Sequence, residues 1–195
     1  MTTEQDINDF TTKGGIDIRR TTEPEIYEGA RMLLVDSLDS HRGVLLSSDF
    51  EYPGRYTRWD MGFIDPPVEV SAIGRAARVR ALSERGRVLV NALAKRLPDL
   101  DFLASHALTD DGFTAQVKES TERFPEEQRS KQPSTFSLVR EILDFFSAPQ
   151  EEAFFGLYGS FGYNLAFQFE PLDRKQNVDS DQRDLLLYLP DRLLL

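Results

Sequence analysis

The chain has 195 residues, of which 40% are hydrophobic and 11% aromatic, with a formal net charge of −10. That length and apolar content suit one domain burying about 70% of its extended-chain surface, and they exclude general disorder. The acidic balance argues against a nucleic-acid surface, which needs clustered Lys and Arg, and the absence of cysteine excludes disulfides, thiolate nucleophiles and sulfur-ligated metals.

The N-terminal "MTTEQDINDFTTKGG" is polar and acidic, unlike a signal or transit peptide. No apolar run is long enough to span a bilayer, so the expectation is a soluble, cytoplasmic protein with no membrane partner. Residues 1–15 read as a flexible tail ending at Gly14-Gly15, and 16–195 as the folded part. "IDIRRTT" alternates like a short strand. Thr22 and Glu25 have capping-box spacing, and Ile26, Ala30, Leu33 and Leu34 recur at helical spacing, which predicts a helix over about 23–35. "GVLLSS" (43–48) reads as a buried strand, 49–58 as a loop on Pro53-Gly54, and "WDMGFI" as a second strand stopped by Asp65-Pro66-Pro67.

"VEVSAIG" and the arginine-rich segment after it continue an antiparallel pattern, with a turn predicted at Ser83 to Gly86 and positive φ at Gly86. Apolar residues at 89, 90, 93 and 97 predict a helix that stops at Pro98. Residues 109–133 are polar and weakly periodic, and read as an exposed connector. Ser134 caps a helix carrying Phe136, Val139, Ile142, Leu143 and Phe146 on one stripe. "AFFGLYGSFGYNLAFQFE" reads as strand, and "QRDLLLYLPDRLLL" as a last strand and the beginning of another element. The three leucines at Leu195, with no cap or turn, read as an N-terminal piece of a longer protein. The fold class expected is α+β: antiparallel sheet layers with a few helices packed outside.

Motifs for chemistry are sparse. Gly156, Gly159 and Gly162 fit neither a dinucleotide fingerprint nor a phosphate loop; they read as strand glycines that admit a close neighbour. His41 and His106 have no ligand spacing and read as surface residues. The carboxylates read as solvated charge, and Arg75, Arg78, Arg80, Arg85 and Arg87 as one exposed face of a hairpin. The stretch "LLSSDFEYPGRYTRWD" stands apart. On spacing it reads either as a packed hairpin, with Trp59 in the core and Arg55 and Arg58 over aromatic faces, or as a headgroup site. In the second reading two hydroxyls and backbone N–H groups meet an amino acid, and a loop arginine takes its carboxylate.

These residues resemble the N-terminal region of anthranilate synthase component I over about 30–195. "VLLSS" is similar to the family's Leu-Leu-Glu-Ser element, with Ser47 in the Glu place and Ser48 in the Ser place. "GRYTRWDMGFIDPP" is similar to the Gly-Arg-Tyr-Ser segment that follows it. "FFGLYGSFGYNLAFQFEPL" with "DLLLYLPDRLLL" looks like the strand pair leading into the chorismate-binding domain. The wording is nearest to the fused form, in which one polypeptide carries synthase and glutaminase parts.

The resemblance implies a lyase of tryptophan biosynthesis that converts chorismate and glutamine to anthranilate, pyruvate and glutamate. It implies a tryptophan feedback site at Leu46, Ser47 and Ser48, with Arg58 a further contact. With serine at position 47, a charge contact to the tryptophan ammonium from that position is lost. The catalytic and magnesium-binding residues fall in the chorismate domain, so the chain alone is expected to be inactive and to bind no magnesium. Its implied partners are L-tryptophan and the chorismate and glutaminase domains. Two alternatives stay open: the same region of an aminodeoxychorismate or phenazine-type synthase, and a free-standing amino-acid-binding module.

Overall fold

The computed structural model describes residues 6–24, 29–48, 60–120, 125–148, 154–170 and 181–195. In chain order its elements are β1 (Asp6–Thr11), β2 (Asp17–Thr22), α1 (Ala30–Leu38), β3 (Gly43–Ser47), β4 (Asp60–Ile64), β5 (Val68–Ile73), β6 (Ala76–Ala81), α2 (Glu84–Ala94), β7 (Leu103–Thr109), β8 (Gly112–Val117), α3 (Thr135–Phe145), β9 (Tyr158–Phe161) and β10 (Leu185–Leu189). The architecture is α+β with antiparallel sheets, as expected. One sheet has six strands in the order β7-β8-β6-β5-β10-β9, and β1–β2 and β3–β4 are two-stranded ribbons. No described helix is long and apolar enough to cross a membrane.

Period-two alternation decides which face of the large sheet is buried. Val68, Val70 and Ala72 on β5, Ala77 and Val79 on β6, Phe113, Ala115 and Val117 on β8, and Leu185, Leu187 and Leu189 on β10 share one core. The register makes this a continuous surface, since Val79 pairs with both Val70 and Phe113, and Leu187 pairs with Val70. Val90 and Leu93 of α2 and Leu138, Val139, Ile142 and Phe145 of α3 cover it. Each such side chain contributes about 1.5–3 kcal/mol by leaving water.

Both covering helices start at serine. Ser83 Oγ accepts the Gly86 N–H at 3.1 Å, and Ser134 opens α3 as predicted, its own N–H donating to Ser137 Oγ at 3.2 Å. The predicted stripe on α3 is rotated. Val139, Ile142 and Phe146 are buried as expected, but Leu138 and Phe145 take the inside and Leu143 is exposed.

Several expectations are corrected. Residues 6–15 are not a tail: β1 pairs with β2 from Asp6↔Thr22 to Thr11↔Asp17, and Thr12 is buried. Main-chain bonds dock this ribbon on α3, with Lys13 N donating to Ser147 O at 2.9 Å and Gly14 N to Phe145 O at 2.7 Å. Backbone docking of that kind leaves no apolar trace in a sequence. Residues 109–133 are not simply a connector, because β8 runs through them between β7 and β6 in the large sheet. The aromatic segment after residue 153 is strand only at β9, and Tyr163–Gln168 turns into a 3-10 helix. α1 begins at Ala30, later than expected, and the capping residue Glu25 lies outside the described residues.

Gly86 sits in the first turn of α2, and it is Gly74, at φ 54°, that makes the β5–β6 turn. The need at position 86 is space: a Cβ there would strike the Pro67 carbonyl. Gly86→Ala is therefore expected to cost about 1–3 kcal/mol in chemical denaturation, the usual cost of overpacking. An unchanged midpoint would show that the helix start can shift away from Pro67. The strand-glycine reading holds at Gly159, where a Cβ would meet the Leu186 carbonyl of β10, while Gly156 has open space.

Candidate functional site

β3 and β4 pair from Gly43↔Ile64 to Ser47↔Asp60, so the two predicted strands form a ribbon, with β3 half-buried rather than buried as expected. α1 lies on it, with buried Leu34 filling the space that Gly62 leaves free of a side chain. The ribbon sits on the face of the large sheet opposite the main core. Phe63 makes edge contacts with Tyr158 and Tyr188, with ring centroids 6.1 and 6.0 Å apart. Gly62 and Leu194 exchange two main-chain bonds of 2.9 Å.

Beneath the ribbon is a buried carboxylate. The Glu69 side chain is 3% exposed; Arg80 Nη2 of the neighbouring strand donates to its Oε1 at 2.7 Å, and Arg42 Nε, just before β3, lies 3.4 Å from its Oε2. Burial, with the negative charge of Glu69 adding to it, pushes the Tyr188 hydroxyl above the usual tyrosine pKa. This corrects the view of the carboxylates as solvated. Asp184 is buried too, accepting the Gly74 N–H at 2.7 Å.

The arginine run is likewise not one exposed face. Arg75 donates to the carbonyls of Lys118, Pro133 and Gln168, Arg78 pairs with Asp111, Arg80 with Glu69, and Arg85 and Arg87 belong to α2. His106 is exposed, and so is His41, whose Nδ1 lies 2.8 Å from Asp65 Oδ2. Among the described residues no group of three or more His, Asp or Glu could hold a metal.

At the end of β3 the structure places the expected residues as follows. Leu46 pairs with Met61 and is half-buried; Ser47 is exposed; Ser48 follows it, half-buried. Arg58, with Arg55 and Trp59, lies outside the described residues. Two residues missed in the sequence converge on Ser47. Its hydroxyl donates to Asp60 Oδ1, Arg31 Nη2 lies 3.3 Å from the same hydroxyl, and Arg31 Nε lies 3.5 Å from Asp60 Oδ2. A hydroxyl, a carboxylate and a guanidinium thus sit together at the ribbon end, beside the apolar side chain of Leu46. Such a set can bind a small polar headgroup whose remainder is apolar.

No protein-family model matches the chain. Over 185 residues, 95% of its length, it is 46% identical to the anthranilate synthase of Azospirillum brasilense. This chain is a relative of anthranilate synthase. The likeness is broader than the residues from about 30 onward on which the resemblance was read. The chain spans 25% of the length of that anthranilate synthase.

Proposed function

We propose that the chain is the N-terminal regulatory region of an anthranilate synthase, and that L-tryptophan binds at the end of β3 as its feedback inhibitor. The observation that carries this is the 46% identity over nearly the whole chain. The hydroxyls, carboxylate and guanidinium at Ser47, Ser48, Asp60 and Arg31 support the placement of the inhibitor. In the complete enzyme chorismate and glutamine would give anthranilate, pyruvate and glutamate in the cytoplasm, as the committed step toward tryptophan. Catalysis, magnesium and the glutaminase reaction belong in this reading to the chorismate and glutaminase domains, outside the region that the chain matches.

The test is inhibition of the complete enzyme. Ser48→Phe puts a bulky ring into a half-buried position, where it excludes a ligand by clash. The ratio of activity with and without tryptophan should rise to one. Inhibition as strong as in the wild type would overturn the assignment of the site.

A further inference from the structure

The β3–β4 ribbon hands over to the large sheet at a single residue. Asp65 follows Ile64 of β4, and Pro66 and Pro67, both buried, lead straight into β5. Pro67 is anchored on the sheet side, its carbonyl accepting the Leu82 N–H at 2.8 Å. Asp65 itself is exposed and left-handed, with φ at 49°, the one positive φ outside glycine among the described residues. A residue before proline prefers extended backbone, and a Cβ makes the left-handed region costly. Its surroundings hold Asp65 there. The Asp65 N–H donates to the Arg42 carbonyl at 2.7 Å, and His41 Nδ1 lies 2.8 Å from Asp65 Oδ2.

A second cost lies at the same joint. The seated ribbon covers Glu69, whose Oε2 has no hydrogen-bond partner among the described residues. Arg42, bonded through its carbonyl to Asp65, brings its Nε to 3.4 Å from that oxygen. Arg80 Nε is unpartnered as well. Lifting the ribbon would relax Asp65 and let water reach both atoms. Against that stand the burial of Phe63 on Tyr158 and Tyr188 and the two main-chain bonds between Gly62 and Leu194. A strained backbone and an unsatisfied buried charge, opposed by one ring and two hydrogen bonds, make a seat of low local stability.

We propose that Asp65 is a strained hinge, about which the β3–β4 ribbon and α1 lift from the sheet as one body while β5 to β8 stay folded. α1 goes with the ribbon because Leu34 fills the space over Gly62. Arg31, Ser47 and Asp60 all lie on that body, so they change place together. A ligand or domain that binds one seat better than the other then sets the population of the two. The hinge goes beyond the tryptophan reading and does not depend on it.

The experiment is amide hydrogen exchange on the complete protein without ligand, with Asp65 replaced in three ways. The Gly62 and Leu194 N–H groups bond across the joint and report the lifting, while amides inside β6 and β8 report the sheet. Asp65→Val, whose branched side chain resists the left-handed region, should speed exchange at Gly62 and Leu194 about 5- to 30-fold. The sheet amides should not change. Asp65→Gly takes the left-handed region freely and should exchange no faster than the wild type. Asp65→Asn keeps the tolerance of that region without the charge, and should match the wild type. Acceleration in Asp65→Gly or Asp65→Asn as large as in Asp65→Val would make the His41 contact the holding element and overturn the hinge. Unchanged exchange in Asp65→Val would overturn it too, as would sheet amides that speed up in step with Gly62 and Leu194.

Discussion

Phe113→Ala should lower the unfolding free energy by about 3–5 kcal/mol, the cost of emptying a packed aromatic site. Phe113 has no exposed surface and pairs with Val79 at the centre of the large sheet, in the same core as α2 and α3. Nothing near it can collapse cheaply, because its neighbours are held by strands on one side and helices on the other. Leu108→Ala is the internal control. Leu108 is the register partner of Phe113 but is 71% exposed on the edge strand β7, and its loss should stay within about 0.5 kcal/mol. Urea unfolding with an unchanged slope measures both. If the two variants moved together, residues 112–117 would not belong to the core, and the connector reading would stand.

Glu69→Ala should cost about 3 kcal/mol, the low end for breaking a buried ion pair, since Arg80 and Arg42 retain 28% and 45% exposure and can partly rehydrate. The loss comes from two sources. Arg80, whose Nε already has no hydrogen-bond partner, is left as an uncompensated charge inside the protein. The ribbon also loses the link from Arg42 to the sheet. Replacing both Glu69 and Arg80 with leucine should recover most of the stability, because two apolar groups need no partners. Denaturant midpoints of the single and double variants decide it: a double variant as weak as the single would mean that the charge pair is not the source.

The parts of this fold that could be read from the sequence are those where burial leaves a period. β3, β4, β5 and β10 alternate or run apolar and Ser134 precedes a helical stripe; the four strands and the start of α3 are where the pattern put them, though the stripe is rotated. Strand β8 was missed because its inward residues, Phe113, Ala115 and Val117, alternate with Thr114 and Gln116 in a polar neighbourhood. Three inward positions are a weak signal there. Strand β2 was read, but its partner β1 was missed for a different reason, since main-chain bonds and exposed ion pairs hold most of it and the Phe10–Phe155 ring contact is a single apolar mark. In the site, Ser47 and Ser48 stood out as hydroxyls ending an apolar run. Asp60 and Arg31 did not, because what brings them to Ser47 is strand register and the seating of α1. A single sequence specifies register only through the faces it buries, and this ribbon end is half open.

The strand order also has a consequence for how the protein is made. Strands β5 to β8 pair among themselves and can assemble as soon as they leave the ribosome, whereas among the described residues β9 pairs with β10 alone. At about 5–20 residues per second, the nascent chain spends several seconds with the outer edge of β5 uncovered and β9 without a neighbour. Open edges of that kind invite pairing with the wrong chain. Insertion of Leu185–Leu189 between them closes both at once, and only then can Leu194 reach Gly62 and seat the β3–β4 ribbon. The candidate site, encoded early in the chain, is among the last features to be finished.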